Sequence, residues 1–413
     1  MTQMALPLFQ NLPALATARP DPQPQTRFDA DGFEIGWDYA RHRLTPPADH
    51  LHGLHPVRQG WEAGRAAFGV RTLQPSRHVR RWLQLRLQAW LQGASFEAVM
   101  LTPRYLAQIE PVHCPVTREL LTDGDDAPTD AVVVRLNAQA GYAAGHLAIV
   151  SRRVAQARGT ADAATLRALV QRLRAESLDA AGGLTLAQWE RLATLSSFVT
   201  PIAHERLATL PLRALPPNRL RLLNPVQSLQ VLLSRLFLGE AYARRMAALG
   251  SLMPDADARR SYYLLMNAML ARRLAAGWSA DRQRVQTTLE DAWSHPVIER
   301  RWEQLALRLR RSDCERIVRL AAQRGLAAAG CRWVDDDAAT EGWELNAPAL
   351  AGATRRAAAA TPPAGADADR RPSPSNGSSP LPSPLQRRHA SRTRVVQPGR
   401  AGHVDDAAAR AGC

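Results

Sequence analysis

The stretch that decides the fold runs CPVTRELL (114–121), then AVVVRLNAQAGYAAGHLAIVS (131–151), then RRVAQARG (152–159). The sequence on either side of it reads as helix. Residues 76–93 predict a helix opened by Pro75 and Ser76, with Val79, Trp82, Leu83, Leu87, Trp90 and Leu91 on one face and Gly93 as the stop. The other side of that helix carries Arg77, Arg80, Arg81 and Arg86. It is read either as a basic face that tracks a phosphate backbone or as an ordinary solvated surface. After Gly159 the helical pattern continues almost without interruption, so the quoted stretch is a small inset in a helical chain.

Several offsets within the inset agree with one known module. Cys114, Val116 and Thr117 fit a Cys-x-Val-Thr-Gly turn, with Arg118 where the Gly would stand. Residues 132–136 fit a first strand, Gly141, Tyr142 and Gly145 fit the loop, residues 147–150 fit a second strand, and Ser151 opens a helix. The inset resembles the ββα module of HNH nucleases over about 46 residues, 114–159. The resemblance puts Val134 where the metal-binding Asp would be, His146 where Asn is usual, and Ala155 where the helix would present its ligand.

In such a site a carboxylate and a second ligand hold one divalent cation against the scissile phosphate, while a His takes a proton from the attacking water. Valine and alanine have no donor atom to offer a hard cation such as Mg²⁺. The resemblance therefore implies a noncatalytic derivative kept for binding DNA or for structure, with no metal and no cofactor. An active metal-dependent endonuclease stays open as an alternative, since His113, His146, Asp123, Asp125, Asp126 and Asp130 lie in the module and would have to assemble a Mg²⁺ site by another route. The plainer readings are that His146 satisfies local backbone groups, that residues 123–130 form a solvated turn, and that Cys114, which has no CxxC partner, packs.

Composition bounds the partners. With 53 basic and 38 acidic residues the formal charge is +15, which favours a polyanionic partner over an acidic small molecule. Every basic residue is arginine, a bias that GC-rich coding also produces, so the charge alone argues less than its size implies. Cys114, Cys314, Cys331 and Cys413 are too widely spaced for a disulfide framework, and a reducing cytoplasm is expected. The N-terminal apolar run is broken by Pro7 and Pro13, and the most apolar helix candidate, residues 225–238, is too short to span a bilayer, so neither a signal peptide nor a membrane role is expected.

The chain length allows two or three domains. Residues 1–27 read as a flexible leader. Phe33, Ile35, Trp37 and Tyr39 alternate with polar residues and glycine, which predicts an extended piece, and His50, His52 and His55 follow in what reads as a solvated loop. Residues 28–110 thus form an N-terminal region around the 76–93 helix, residues 111–160 the ββα module, and residues 161–349 an all-α bundle or array. In that last part Leu166, Leu169, Val170 and Leu173 form a stripe. Thr185 with Gln188 predicts a capping box, Asn224 and Pro225 a helix start, and Tyr262, Leu265, Met266, Met269 and Leu270 another helix. A helix over 296–311 is expected to turn Val297, Trp302, Leu305 and Leu309 inward, and Ser312 with Glu315 to cap the last one before Gly325. Trp189, Trp293 and Trp302 read as core. Residues 350–413 have few large apolar side chains and read as a disordered basic tail.

The fold class expected is mainly α, a helical bundle or array with a small embedded ββα module. The candidate contacts to nucleic acid are Arg77, Arg80, Arg81 and Arg135. A helical interaction or scaffold protein with a protein partner is the third reading.

Overall fold

The computed structural model describes residues 24–345, apart from 125, 240, 276, 278–280 and 327–335. The leader expected over 1–27, except its last four residues, and the tail expected over 350–413 lie outside the described residues. The architecture is mainly helical with two small two-stranded antiparallel sheets. In chain order it comprises α1 (Pro24–Arg41), α2 (Pro56–Phe68), α3 (Arg77–Leu91), α4 (Pro103–Ile109), β1 (Ala131–Arg135), β2 (Leu147–Ser151) and α5 (Arg152–Arg158). There follow α6 (Ala163–Ala175), β3 (Ala180–Ala181), β4 (Leu184–Thr185), α7 (Leu186–Phe198), α8 (His204–Ala208) and α9 (Pro225–Arg235). The last are α10 (Tyr242–Gly250), α11 (Ala256–Ala275), α12 (Arg282–Ala292), α13 (Pro296–Ala306), α14 (Arg311–Gln323) and α15 (Asp336–Ala339). Among the described residues no helix is long and apolar enough to cross a membrane.

The inset folds as a hairpin feeding a helix. β1 and β2 pair antiparallel from Ala131↔Ser151 to Arg135↔Leu147, and α5 follows at once with Ser151 as its N-cap residue. All five residues of β2 are buried, because the two faces of the hairpin serve different cores. Successive side chains on a strand point to opposite faces. Ala148 and Val150 therefore join Leu136 and Val154 in the large core of the C-terminal helices, while Leu147 and Ile149 join Leu85, Leu101, Tyr105 and Leu106 of the N-terminal side. The hairpin is a wedge between two helical layers, and the apolar clusters run across residue 110 and residue 160 without a break.

Several helices begin where their capping residues stand. The Ser76 side chain accepts from the Val79 amide at the start of α3, and Thr185 and Gln188 complete a reciprocal capping box on α7. Pro225 takes the first turn of α9, where its missing N–H costs nothing. Trp189, Trp293 and Trp302 are buried in the core.

Four expectations are corrected. The extended piece at 33–39 is helical and belongs to α1, whose buried residues Ile35, Tyr39 and Ala40 recur at helical rather than strand spacing. Residues 24–27 of the expected leader belong to the same helix. α1 packs along α2 at a glycine crossing. A Cβ on Gly36 would drive into the Val57 carbonyl oxygen and one on Gly60 into that of Phe33, so only glycine admits this approach. Third, the helix expected over 296–311 stops at Ala306, with Ile298 buried and Val297 exposed. Fourth, α14 is capped from Arg310, whose amide donates to Asp313 Oδ2 at 3.0 Å, rather than from Ser312.

Candidate nucleic-acid interface

The turn at Cys114 shows how the hairpin is anchored. The Cys114 amide donates to the Glu119 carbonyl and the Arg118 amide to the Cys114 carbonyl, both at 2.8 Å, which places Arg118 at a φ of 65°. That left-handed backbone costs a non-glycine residue of order 1 kcal/mol. The Arg118 guanidinium offsets it by reaching Asp291 at 2.7 Å and Glu290 at 3.2 Å on α12. Cys114 is buried, and its sulfur accepts from the Ser151 amide at 3.3 Å, so it packs the turn onto the end of β2.

Of the positions that the nuclease resemblance would use for metal and proton transfer, two pack against the core and one is buried in it. Val134 and Ala155 both pack against the large C-terminal cluster. His146 is 0% exposed, and its Nε2 lies 2.8 Å from the Gly141 carbonyl oxygen. A carbonyl only accepts, so Nε2 carries the proton. Burial, together with the positive charges of Arg135, Arg221 and Arg158, pulls the His146 pKa down to about 3 against the favourable bond to Gly141. The ring stays neutral and local, as the plainer reading of this residue expects.

A strap formed by residues 338–345 closes over this loop. The Trp343 ring lies tilted with its centroid 4.7 Å from that of His146 and donates from Nε1 to the Ala144 carbonyl at 3.0 Å, while the Trp343 backbone carbonyl accepts from the Gly141 amide at 2.8 Å. The Arg221 guanidinium holds the strap by the Glu341 carbonyl at 3.0 Å. The strap went unread in the sequence, because a lone Trp beyond the last periodic helix carries no pattern.

The acidic residues of the module are committed elsewhere. Asp130 is buried and accepts from Thr122 Oγ1 at 2.6 Å and from the amides of Ala127 and Gly124, bonds that hold its carboxyl below the ordinary range. Asp123 pairs with Arg81 at 3.1 Å and Asp126 with Arg152 at 3.0 Å; Asp125 lies outside the described residues. Among the described residues no group of three or more His, Cys, Asp or Glu is placed to hold a metal ion. That covers His50, His52 and His55, whose rings gather around His55 with centroids 5.2 and 5.4 Å away.

On α3, three of the four arginines read as a basic face are ion-paired within the molecule. Arg81 is buried, with one arm on Glu110 at 2.7 Å and the other on Asp123. Arg77 also reaches Glu110, at 2.8 Å, and Arg86 is bonded to Asp38. These pairs offset the row from within the molecule, and of the four arginines on this helix Arg80 is the exposed one with no ion pair among the described residues.

Arg135 differs from them. At the end of β1 its guanidinium lies 4.5 Å from the centroid of the Tyr142 ring and donates to the Ala140 carbonyl at 2.8 Å, while the Tyr142 hydroxyl donates to Gln92 Oε1 at 3.1 Å. Among the described residues no carboxylate lies within ion-pair distance of it. It opens into a cavity of about 590 Å³ whose walls include Arg27, Phe28, Asp31, Trp90 and Phe96. Burial pushes the Asp31 carboxyl above its ordinary range, against the pull of Arg27 and Arg86. The walls come from α1, the end of α3, the segment after it, and the loop between β1 and β2. No local sequence signal joins those parts, and of the candidate contacts Arg77, Arg80, Arg81 and Arg135 only Arg135 lines this cavity.

Compared with known proteins, the chain matches no family model, no curated sequence and no solved structure.

Proposed function

We propose that this protein binds nucleic acid without cutting it, through the cavity that Arg135 enters. The observation that carries the reading is a guanidinium held in place by an aromatic ring and a backbone carbonyl yet lacking a carboxylate partner, so that its charge is available to a phosphate. The noncatalytic half of the reading draws support from Val134 and Ala155 packing against the core and from His146 being buried beside Trp343. An endonuclease with substituted ligands would need Asp123, Asp126 and Asp130 to leave Arg81, Arg152 and the Thr122 turn.

The test is a fluorescence-anisotropy titration of a labelled oligonucleotide across a salt series. Arg135→Ala should weaken binding and lower the dependence of log K on log salt by about one, the signature of one lost phosphate contact. Unchanged affinity and slope in a variant of unchanged melting temperature would overturn the reading.

A further inference from the structure

The cavity carries more than a charge. Resting on the nucleic-acid reading above, we infer that its ligand is a single strand, one of whose unstacked bases enters the cavity while a neighbouring phosphate meets Arg135.

Three observations point the same way. The first is size. A cavity of about 590 Å³ lies in the range of sites that enclose a small molecule, which suits one nucleotide and not a stacked duplex. The second is chemistry. Phe28 lies parallel to Trp90 with ring centroids 4.4 Å apart, Phe96 lines the same walls, and the Arg135 guanidinium stands over Tyr142. Aromatic faces and guanidinium planes are the platforms on which unpaired bases stack. The lining also mixes signs, since Asp31, Glu34 and Glu344 share it with Arg27, Arg86 and Arg135. Bare polyphosphate is repelled by such carboxylates, whereas a base edge offers them N–H donors and leaves the cations to the backbone. The third is the ion pairing of α3. With Arg77 and Arg81 on Glu110 and Arg86 on Asp38, the helix retains little of the cationic row that would track a duplex. A double helix presents its phosphates on a convex rod and hides its bases in stacks, so it brings neither group to a recessed arginine.

The experiment compares four probes on the full chain by anisotropy at fixed salt: a mixed-sequence DNA strand, the matching RNA strand, the DNA duplex, and the DNA strand made abasic throughout. DNA or RNA strand should bind at least about tenfold tighter than the duplex and the abasic strand, the loss expected when stacking of one or two bases is denied. Which of the two strands binds better separates a DNA from an RNA ligand. Phe96→Leu tests the cavity without touching a charge, since it takes an aromatic face out of the half-buried lining and leaves an apolar side chain in its place. This variant should lose strand affinity about tenfold while keeping its salt slope, because stacking and not a phosphate contact is removed. Equal affinity for strand and duplex, or full binding of the abasic strand, would overturn this inference and leave the nucleic-acid reading standing. Binding to none of the four would overturn both.

Discussion

Replacing His146 with Gln should make the protein more resistant to acid, and the size of the effect follows from the site. In the folded chain the imidazole is buried, carries its one proton on Nε2 toward Gly141, and has a pKa near 3. In the unfolded chain it titrates near 6.5. Above pH 6.5 neither state takes up a proton and His146 has no influence on the pH dependence. As the pH falls through 6.5 the unfolded state binds a proton that the folded state refuses, so stability is lost at a slope approaching about 1.4 kcal/mol per pH unit. The loss levels off once the pH reaches the folded value near 3. Integrated from neutral pH to pH 4.5, the linkage amounts to about 2–3 kcal/mol. Gln keeps an N–H for the Gly141 carbonyl and does not titrate. Urea denaturation of both proteins at pH 7.5 and 4.5 gives the test. Asp130 and Glu110, whose carboxyls are held below the ordinary range, destabilise both proteins in acid alike, so the difference between the two losses isolates His146. An equal loss of stability in the two proteins would refute the reasoning, as would an NMR titration showing His146 protonated at pH 5.5.

Trp343→Ala removes a fully buried side chain that meets Ala144 and His146, and should cost up to about 3–5 kcal/mol in a thermal melt. Faster hydrogen exchange at the Gly141 amide, whose acceptor is the Trp343 carbonyl, would show the strap loosening, and full retained protection would count against its role. Gly60→Ala should destabilise by about 1–3 kcal/mol or more, because the new methyl group meets the Phe33 backbone and has to part α1 from α2. A melting temperature unchanged within a degree would contradict the tight crossing described here.

How far the fold could be read beforehand depended on whether the deciding contacts were local. The hairpin and its helix, the Ser76 cap and the Thr185 capping box are set by neighbours in sequence, and the chain adopts them where the residues indicate. α1 failed for the opposite reason. Phe33, Ile35, Trp37 and Tyr39 alternate like a strand, but Ile35 and Tyr39 are also one helical turn apart, and the choice between the two periods rests on Gly36 meeting Val57 in α2. The ion pairs of the α3 arginines were out of reach of the sequence for the same reason. Glu110 is 29 residues from Arg81 and Asp38 is 48 from Arg86, so the pairs that cancel this face are invisible until the chain is folded. The cavity at Arg135 is assembled from four separate parts of the chain, the last of them Glu344, and no single window of sequence contains it.

Ultraviolet crosslinking of the full chain to a photoreactive oligonucleotide, read out by mass spectrometry, addresses most directly whether the Arg135 cavity is where nucleic acid binds. Crosslinked peptides should come from residues 27–35, 90–98 and 135–142, and should diminish together in Arg135→Ala. Crosslinks confined to the exposed edge of α3 around Arg80, or to residues 346–413, would contradict the assignment.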